Sequence, residues 1–160
     1  MKIVHLTPYY APAYAFGGVP RAVEGMAKGL TARGHTVSVL TTDTLSQQER
    51  YSGEMDAIQD GVRVVRVPNR SAWLRGRLNL STPLGMRRAA LDVLAGADVL
   101  HTHEFRTAEN LLVTPAAEQM GVPMVLSPHG TLTLTTGRSA LKSAWDALLS
   151  PTVARRFAAV

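Results

Sequence analysis

Short apolar, β-branched runs alternate with amphipathic stretches along almost the whole chain, and no other feature constrains its fold as tightly. Lys2 to Thr7 reads as a strand, and a loop rich in Pro, Gly and Tyr leads from Pro8 to Gly18. Val19, Val23, Met26, Ala27 and Leu30 then recur at helical spacing. Pro20 suits the first turn of that helix, where its missing N–H would be unpaired anyway, and Gly34 closes it ahead of a second strand over Thr36 to Thr41. A polar stretch, Asp43 to Gly61, precedes a third strand over Val62 to Val67. There the alternation of Val with Arg63 and Arg66 predicts one wetter face and a place near the sheet edge. After an irregular segment, a helix is expected from about Pro83 to Leu94, then a strand from Ala97 to Thr102. A further helix runs from about Ala108 to Met120 and is closed by Gly121. It hands over to a strand from Val122 to Ser127 that stops at Pro128-His129-Gly130.

Strand, helix, strand in regular order specifies an α/β fold: a Rossmann-like, mainly parallel sheet with helices on both faces. Parallel neighbours need crossover connections, and those helices cover the sheet. At 160 residues and 46% hydrophobic content, one domain spanning residues 1–160 is expected. Leu141, Trp145, Leu148 and Leu149 keep a helical phase that breaks near Ser150-Pro151. Phe157 to Val160 then resembles the start of another buried strand, so the chain is expected to stop where a sixth unit would begin. Cysteine is absent, which excludes disulfides, thiolate metal sites and a cysteine nucleophile and fits a reducing, cytoplasmic setting. No segment has the apolar length to span a bilayer, so membrane association would be peripheral.

In open parallel sheets, ligands bind beyond the carboxyl ends of the strands. The first such loop carries Gly17-Gly18-Val19-Pro20-Arg21. Two glycines let a ligand approach the backbone, the helix N-terminus offers unpaired N–H groups, and Arg21 adds a full charge, a combination that suits a phosphate. The same glycines could equally do no more than shape a turn. His129-Gly130, after the strand ending at Ser127, supplies the best single catalytic candidate in His129, with Gly130 allowing close approach. His101 and His103 share a strand face by the period of two, so a metal pair is conceivable. No third ligand has convincing spacing, however, and a core histidine beside a loop hydrogen-bonder explains them as well. His5 and His35 read as structural. Glu104 could act as a base or bind a sugar hydroxyl. Asp43, ending the second strand, sits where a dinucleotide-binding fold keeps its ribose acid, although the Gly-x-Gly-x-x-Gly pattern fails here.

The net charge of +5 is concentrated. From Gly61 to Leu91 there are seven arginines and no Asp or Glu, interleaved with Trp73, Leu74, Leu78 and Leu80. Such a segment could lie on anionic lipid, or could be a solvated basic loop packed on the domain by its apolar residues. Nucleic-acid binding fits less well, because aromatic residues are few and no reader motif is present.

Several motifs occur in a particular order: Lys2-Ile3-Val4-His5-Leu6-Thr7-Pro8-Tyr9-Tyr10-Ala11-Pro12, Gly17-Gly18-Val19-Pro20-Arg21, Arg33-Gly34-His35-Thr36-Val37, Asp98-Val99-Leu100-His101-Thr102-His103, Gly121-Val122-Pro123 and Ser127-Pro128-His129-Gly130-Thr131-Leu132. With them the chain resembles, over essentially its whole length, the N-terminal domain of GT-B-fold, GT4-type retaining glycosyltransferases. The resemblance implies sugar transfer from a nucleotide-sugar to a glycan or lipid-linked acceptor, with retention and without a metal or other cofactor. No Asp-x-Asp is present to hold one. It implies that Gly17, Gly18, Arg21 and Gly130 face the donor diphosphate and that His129 lies beside the transferred sugar. His103, Glu104, Arg106 and Trp73 would fall on the acceptor side, near an anionic membrane surface at its cytoplasmic face. The nucleotide pocket would belong to a C-terminal domain absent from these residues, so the chain alone is expected to be inactive. The alternatives are a stand-alone binding module of the same fold and a nicotinamide-dinucleotide-binding domain.

Overall fold

A computed structural model describes residues 1–71, 73–74, 80–131 and 139–159, with side chains in the last range from residue 143 onward. The expectations placed on Arg75, Arg77, Leu78, Leu132, Val160 and the side chain of Leu141 therefore lie outside the described residues.

The chain opens with β1 (Lys2–Leu6), a single 3-10 turn over Tyr14–Phe16 and α1 (Gly18–Ala32). It continues through β2 (Thr36–Thr42), β3 (Asp56–Gln59), β4 (Val62–Val67) and α2 (Met86–Leu94). β5 (Val99–His103), α3 (Ala108–Gln119), β6 (Met124–Ser127), α4 (Ser139–Leu148) and α5 (Ser150–Ala154) complete it. The strands form one sheet in the order β3-β4-β2-β1-β5-β6, with every neighbouring pair parallel except β3 with β4. This is the Rossmann-like α/β architecture that the alternation specifies. Ala159 forms a further parallel bridge to Val125, so the apolar ending runs beside β6.

Helices cover both faces of the sheet. On one face Val4, Leu6, Leu40 and Leu100 are buried against Met86, Ala90, Val93 and Leu94 of α2 and Val113, Ala116 and Ala117 of α3. On the other, Val37, Val39, Val62 and Val64 pack on Val23 and Ala27 of α1. Because β1 and β2 lose both faces to helices, their residues from Ile3 and Val37 onward are buried without alternation. Burying Val23 completely is worth about 1.5–3 kcal/mol to the docking of α1.

Three expectations are corrected. The stretch before Gly61 contains β3, which forms a hairpin with β4 through Asp60 (φ 50°) and Gly61 (φ 78°), the conformation of a type I′ turn. Second, Arg63 and Arg66 do not make one wet face, because residues three apart on a strand point to opposite sides. Arg63 ion-pairs with Asp56 and Asp92, while Arg66 is buried, donates to the Ala11 carbonyl at 2.7 Å and lies over the Tyr51 ring. Third, the helix expected from Pro83 starts only at Met86, after Gly85 in the left-handed conformation.

Candidate functional site

The carboxyl ends of β1, β5 and β6 lie side by side, and the loops leaving them carry the candidate residues. The first loop delivers the chain to α1 through Gly17, whose φ of 97° and ψ of −144° are open to glycine alone. No side chain caps α1, and because Pro20 has no N–H, the amides that its first turn can offer a ligand are those of Gly18 and Val19; a Cβ on either Gly17 or Gly18 would meet nothing within 4 Å. Both glycines are exposed. Arg21 is exposed too, and its guanidinium folds back over the Tyr14 ring, 4.1 Å from the centroid.

Beyond β6, Pro128-His129-Gly130-Thr131 makes a tight turn closed by the Thr131 amide donating to the Pro128 carbonyl at 2.8 Å. His129 (φ 47°) and Gly130 (φ 79°) are both left-handed within it. The Thr131 hydroxyl donates to the Pro128 carbonyl at 2.6 Å and accepts from the Phe105 amide at 2.8 Å, which ties this turn to the loop after β5. That second loop bends at Glu104 (φ 65°), where the Asn110 side-chain amide donates to the Glu104 and Phe105 carbonyls and the Thr107 hydroxyl caps α3.

Register across the sheet brings together histidines that are far apart in sequence. His5 pairs with His101, and His103 pairs with Ser127 one step nearer the carboxyl edge, all on the α1 face. His5 Nδ1 lies 3.0 Å from His103 Nε2, His103 Nδ1 lies 3.0 Å from His129 Nε2, and His101 Nε2 lies 2.8 Å from the Ser127 hydroxyl. Sequence spacing offers no third partner for His101 and His103, and the structure supplies it in His5. The ligand atoms of these three lie within 4.8 Å of one another. The His5 to His103 contact is a hydrogen bond, so His5, His103 and His129 make an imidazole chain from the sheet interior outward, with His101 beside it.

Burial keeps the rings neutral. It lowers His5 to about 3, aided by His101, and His103 to about 2, aided by His101, His5 and His129; His101 and His129 are lowered as well. The carboxyls move the other way. Burial, with Glu109 nearby, raises Glu104 to about 7. Glu109 is fully buried and raised by that burial; one of its oxygens accepts from the Ser81 hydroxyl, and the other has no partner among the described residues.

The remaining candidates divide. Arg106 is held inside the fold by Asp146 and the Thr131 carbonyl. Trp73 is 64% exposed. An open apolar groove of roughly 470 Å³ is lined by Arg70, Leu80, Pro83, Leu111, Leu112 and Trp145. Asp43 is buried and already engaged, accepting from the Asn69 amide at 2.8 Å and pairing with Arg50 at 2.6 Å.

Residues 17–160 match the glycosyl transferase 4-like domain. The chain belongs to that family. As a glycosyl transferase 4-like domain it is also similar to the GDP-mannose:cellobiosyl-diphosphopolyprenol alpha-mannosyltransferase of Xanthomonas campestris, at 26% identity over 161 residues. That alignment takes in 100% of this chain and 39% of the relative, so this domain spans about two fifths of the relative's length. The match includes both the Gly17-Gly18 entry to α1 and the His129-Gly130 turn. Among the described residues, no helix of this glycosyl transferase 4-like domain is long and apolar enough to cross a membrane.

Proposed function

We propose that this domain is the acceptor-side half of a retaining, metal-independent glycosyltransferase, moving a sugar from a nucleotide-sugar to a glycan or lipid-linked acceptor. The observation that carries the reading is the pairing, on one sheet edge, of an uncapped helix N-terminus behind two exposed glycines with the exposed imidazole of His129. Free N–H groups suit a diphosphate, and His129 suits the sugar attached to it. Gly130 would let the donor approach the second loop. GDP-mannose and a diphosphopolyprenol-linked glycan, the donor and acceptor in the relative's name, are the first pair to try. Glu104, Trp73 and the apolar groove would face the acceptor. Arg87 and Arg88, both exposed, would meet an anionic membrane on the cytoplasmic side. Nucleotide recognition and most of the charge stabilisation of the leaving diphosphate would come from a second domain, so this half alone would turn over little or nothing.

Titrating the 15N-labelled chain with GDP-mannose and, separately, with NAD(H) tests the assignment. Shifts of the Gly17, Gly18 and Gly130 amides with millimolar GDP-mannose, larger than those with equal NAD(H), which offers a diphosphate but no transferable sugar for His129, are expected. Tight NAD(H) binding with no response to nucleotide-sugars would overturn it.

A further inference from the structure

His5, His103 and His129 form a line of imidazoles from the middle of the sheet to its carboxyl edge. Each of the two 3.0 Å contacts needs one N–H and one lone pair, and a neutral imidazole has one of each. The line therefore has only two self-consistent proton arrangements. With every proton on Nδ1, His5 donates to His103, His103 donates to His129, and His129 keeps an Nδ1–H to offer outward. With every proton on Nε2 the direction reverses, and His129 presents a bare Nδ1 lone pair.

The inner end decides between them. His5 is fully buried, and its Nε2 has no hydrogen-bond partner among the described residues. The reversed arrangement would bury an N–H there with nothing to accept it, whereas the forward one leaves only an unshared lone pair. Orphaned buried donors are the rarer and costlier of the two. We infer that His5 and His103 are positioning residues that hold His129 as its Nδ1–H tautomer, so that the exposed ring offers a donor rather than a base.

The consequence for transfer rests on the glycosyltransferase reading: an Nδ1–H can hydrogen-bond hydroxyl or phosphoryl oxygens of a nucleotide-sugar, while a lone pair would instead take up a proton. The tautomer itself can be read without any substrate, so failure of one idea is distinguishable from failure of the other. Two-bond 1H–15N correlation of the 15N-histidine chain near pH 7.5 should show His129 with a protonated Nδ1 and an unprotonated Nε2. In His103→Leu the single tautomer should be lost, with Nε2–H, which unconstrained histidine prefers, becoming the main form. His103→Asn keeps an amide N–H near the position of Nδ1–H and should preserve the wild-type pattern at His129. A wild-type His129 protonated on Nε2 would overturn the inference even if neither variant folds. So would a His129 pattern unaffected by His103→Leu.

Discussion

Glu104→Gln should change how stability depends on pH, with a sign opposite to that usual for carboxylates. Burial and the neighbouring Glu109 raise the Glu104 carboxyl from 4.5 to about 7 in the folded chain. Between those values the folded state holds a proton that the unfolded state has released. The contribution of Glu104 is thus fully present below pH 4.5 and lost as pH rises through about 7. A shift of about two and a half units corresponds to about 3 kcal/mol. Gln keeps the shape and cannot ionise. Guanidinium unfolding of both proteins at half-unit steps from pH 4.5 to 8 gives the difference in stability, wild type minus variant. It should fall by about 3 kcal/mol across the range, mostly between pH 5 and 7. The histidines contribute equally to both proteins and cancel. Parallel profiles, or a difference that grows with pH, would refute the placement of Glu104 in a desolvated corner beside Glu109.

The imidazole chain predicts the opposite slope for the protein as a whole at acid pH. His5 and His103 are lowered from 6.5 to about 3 and about 2, so their stabilisation holds above pH 6.5 and drains away as pH falls toward those values. Loss of far-UV circular dichroism, or of several kcal/mol of stability, between pH 6 and 4 is expected in Glu104→Gln, and a chain unchanged at pH 4 would contradict it. Gly17→Ala should cost about 1 kcal/mol or more, because φ of 97° strains any side chain. Gly18→Ala should leave the unfolding midpoint within about 0.5 kcal/mol and yet abolish the GDP-mannose-dependent amide shifts, by putting a methyl group where the ligand approaches. Unaltered shifts would remove Gly18 from the site. Binding to anionic vesicles should weaken when Arg87 and Arg88 are both made Gln, and unchanged sedimentation with the vesicles would dismiss that face.

The layered fold was legible because each buried strand is a short β-branched run and each helix carries its own stop, such as Gly34 after α1 and Gly121 after α3. β3 was not read. Its four residues hold one large apolar side chain, Ile58, and that is 77% exposed, so no hydrophobic period marks it. The Asp60-Gly61 pair was the available signal. Arg66 was misassigned because a composition of arginines and valines does not say which face each one takes, and the buried contact with Ala11 is 55 residues away in sequence. The loops at the carboxyl edge followed from topology, which put Gly17, Gly18 and His129 on one side. The role of His5 could not follow, since it depends on the β1 to β5 register, which pairs His5 with His101 across almost a hundred residues of chain. Likewise nothing local announces that Arg106 is taken up by Asp146.

Sugar transfer from GDP-mannose to a diphosphopolyprenol-linked glycan, measured for this chain alone and joined to the nucleotide-sugar-binding domain of a relative, tests the proposed division of labour most directly. The chain alone should transfer little or nothing, the joined protein should turn over, and His129→Ala should lower its kcat by about a hundredfold or more. Efficient transfer by the isolated chain, or a joined protein that binds donor and acceptor yet is indifferent to His129→Ala, would contradict the account.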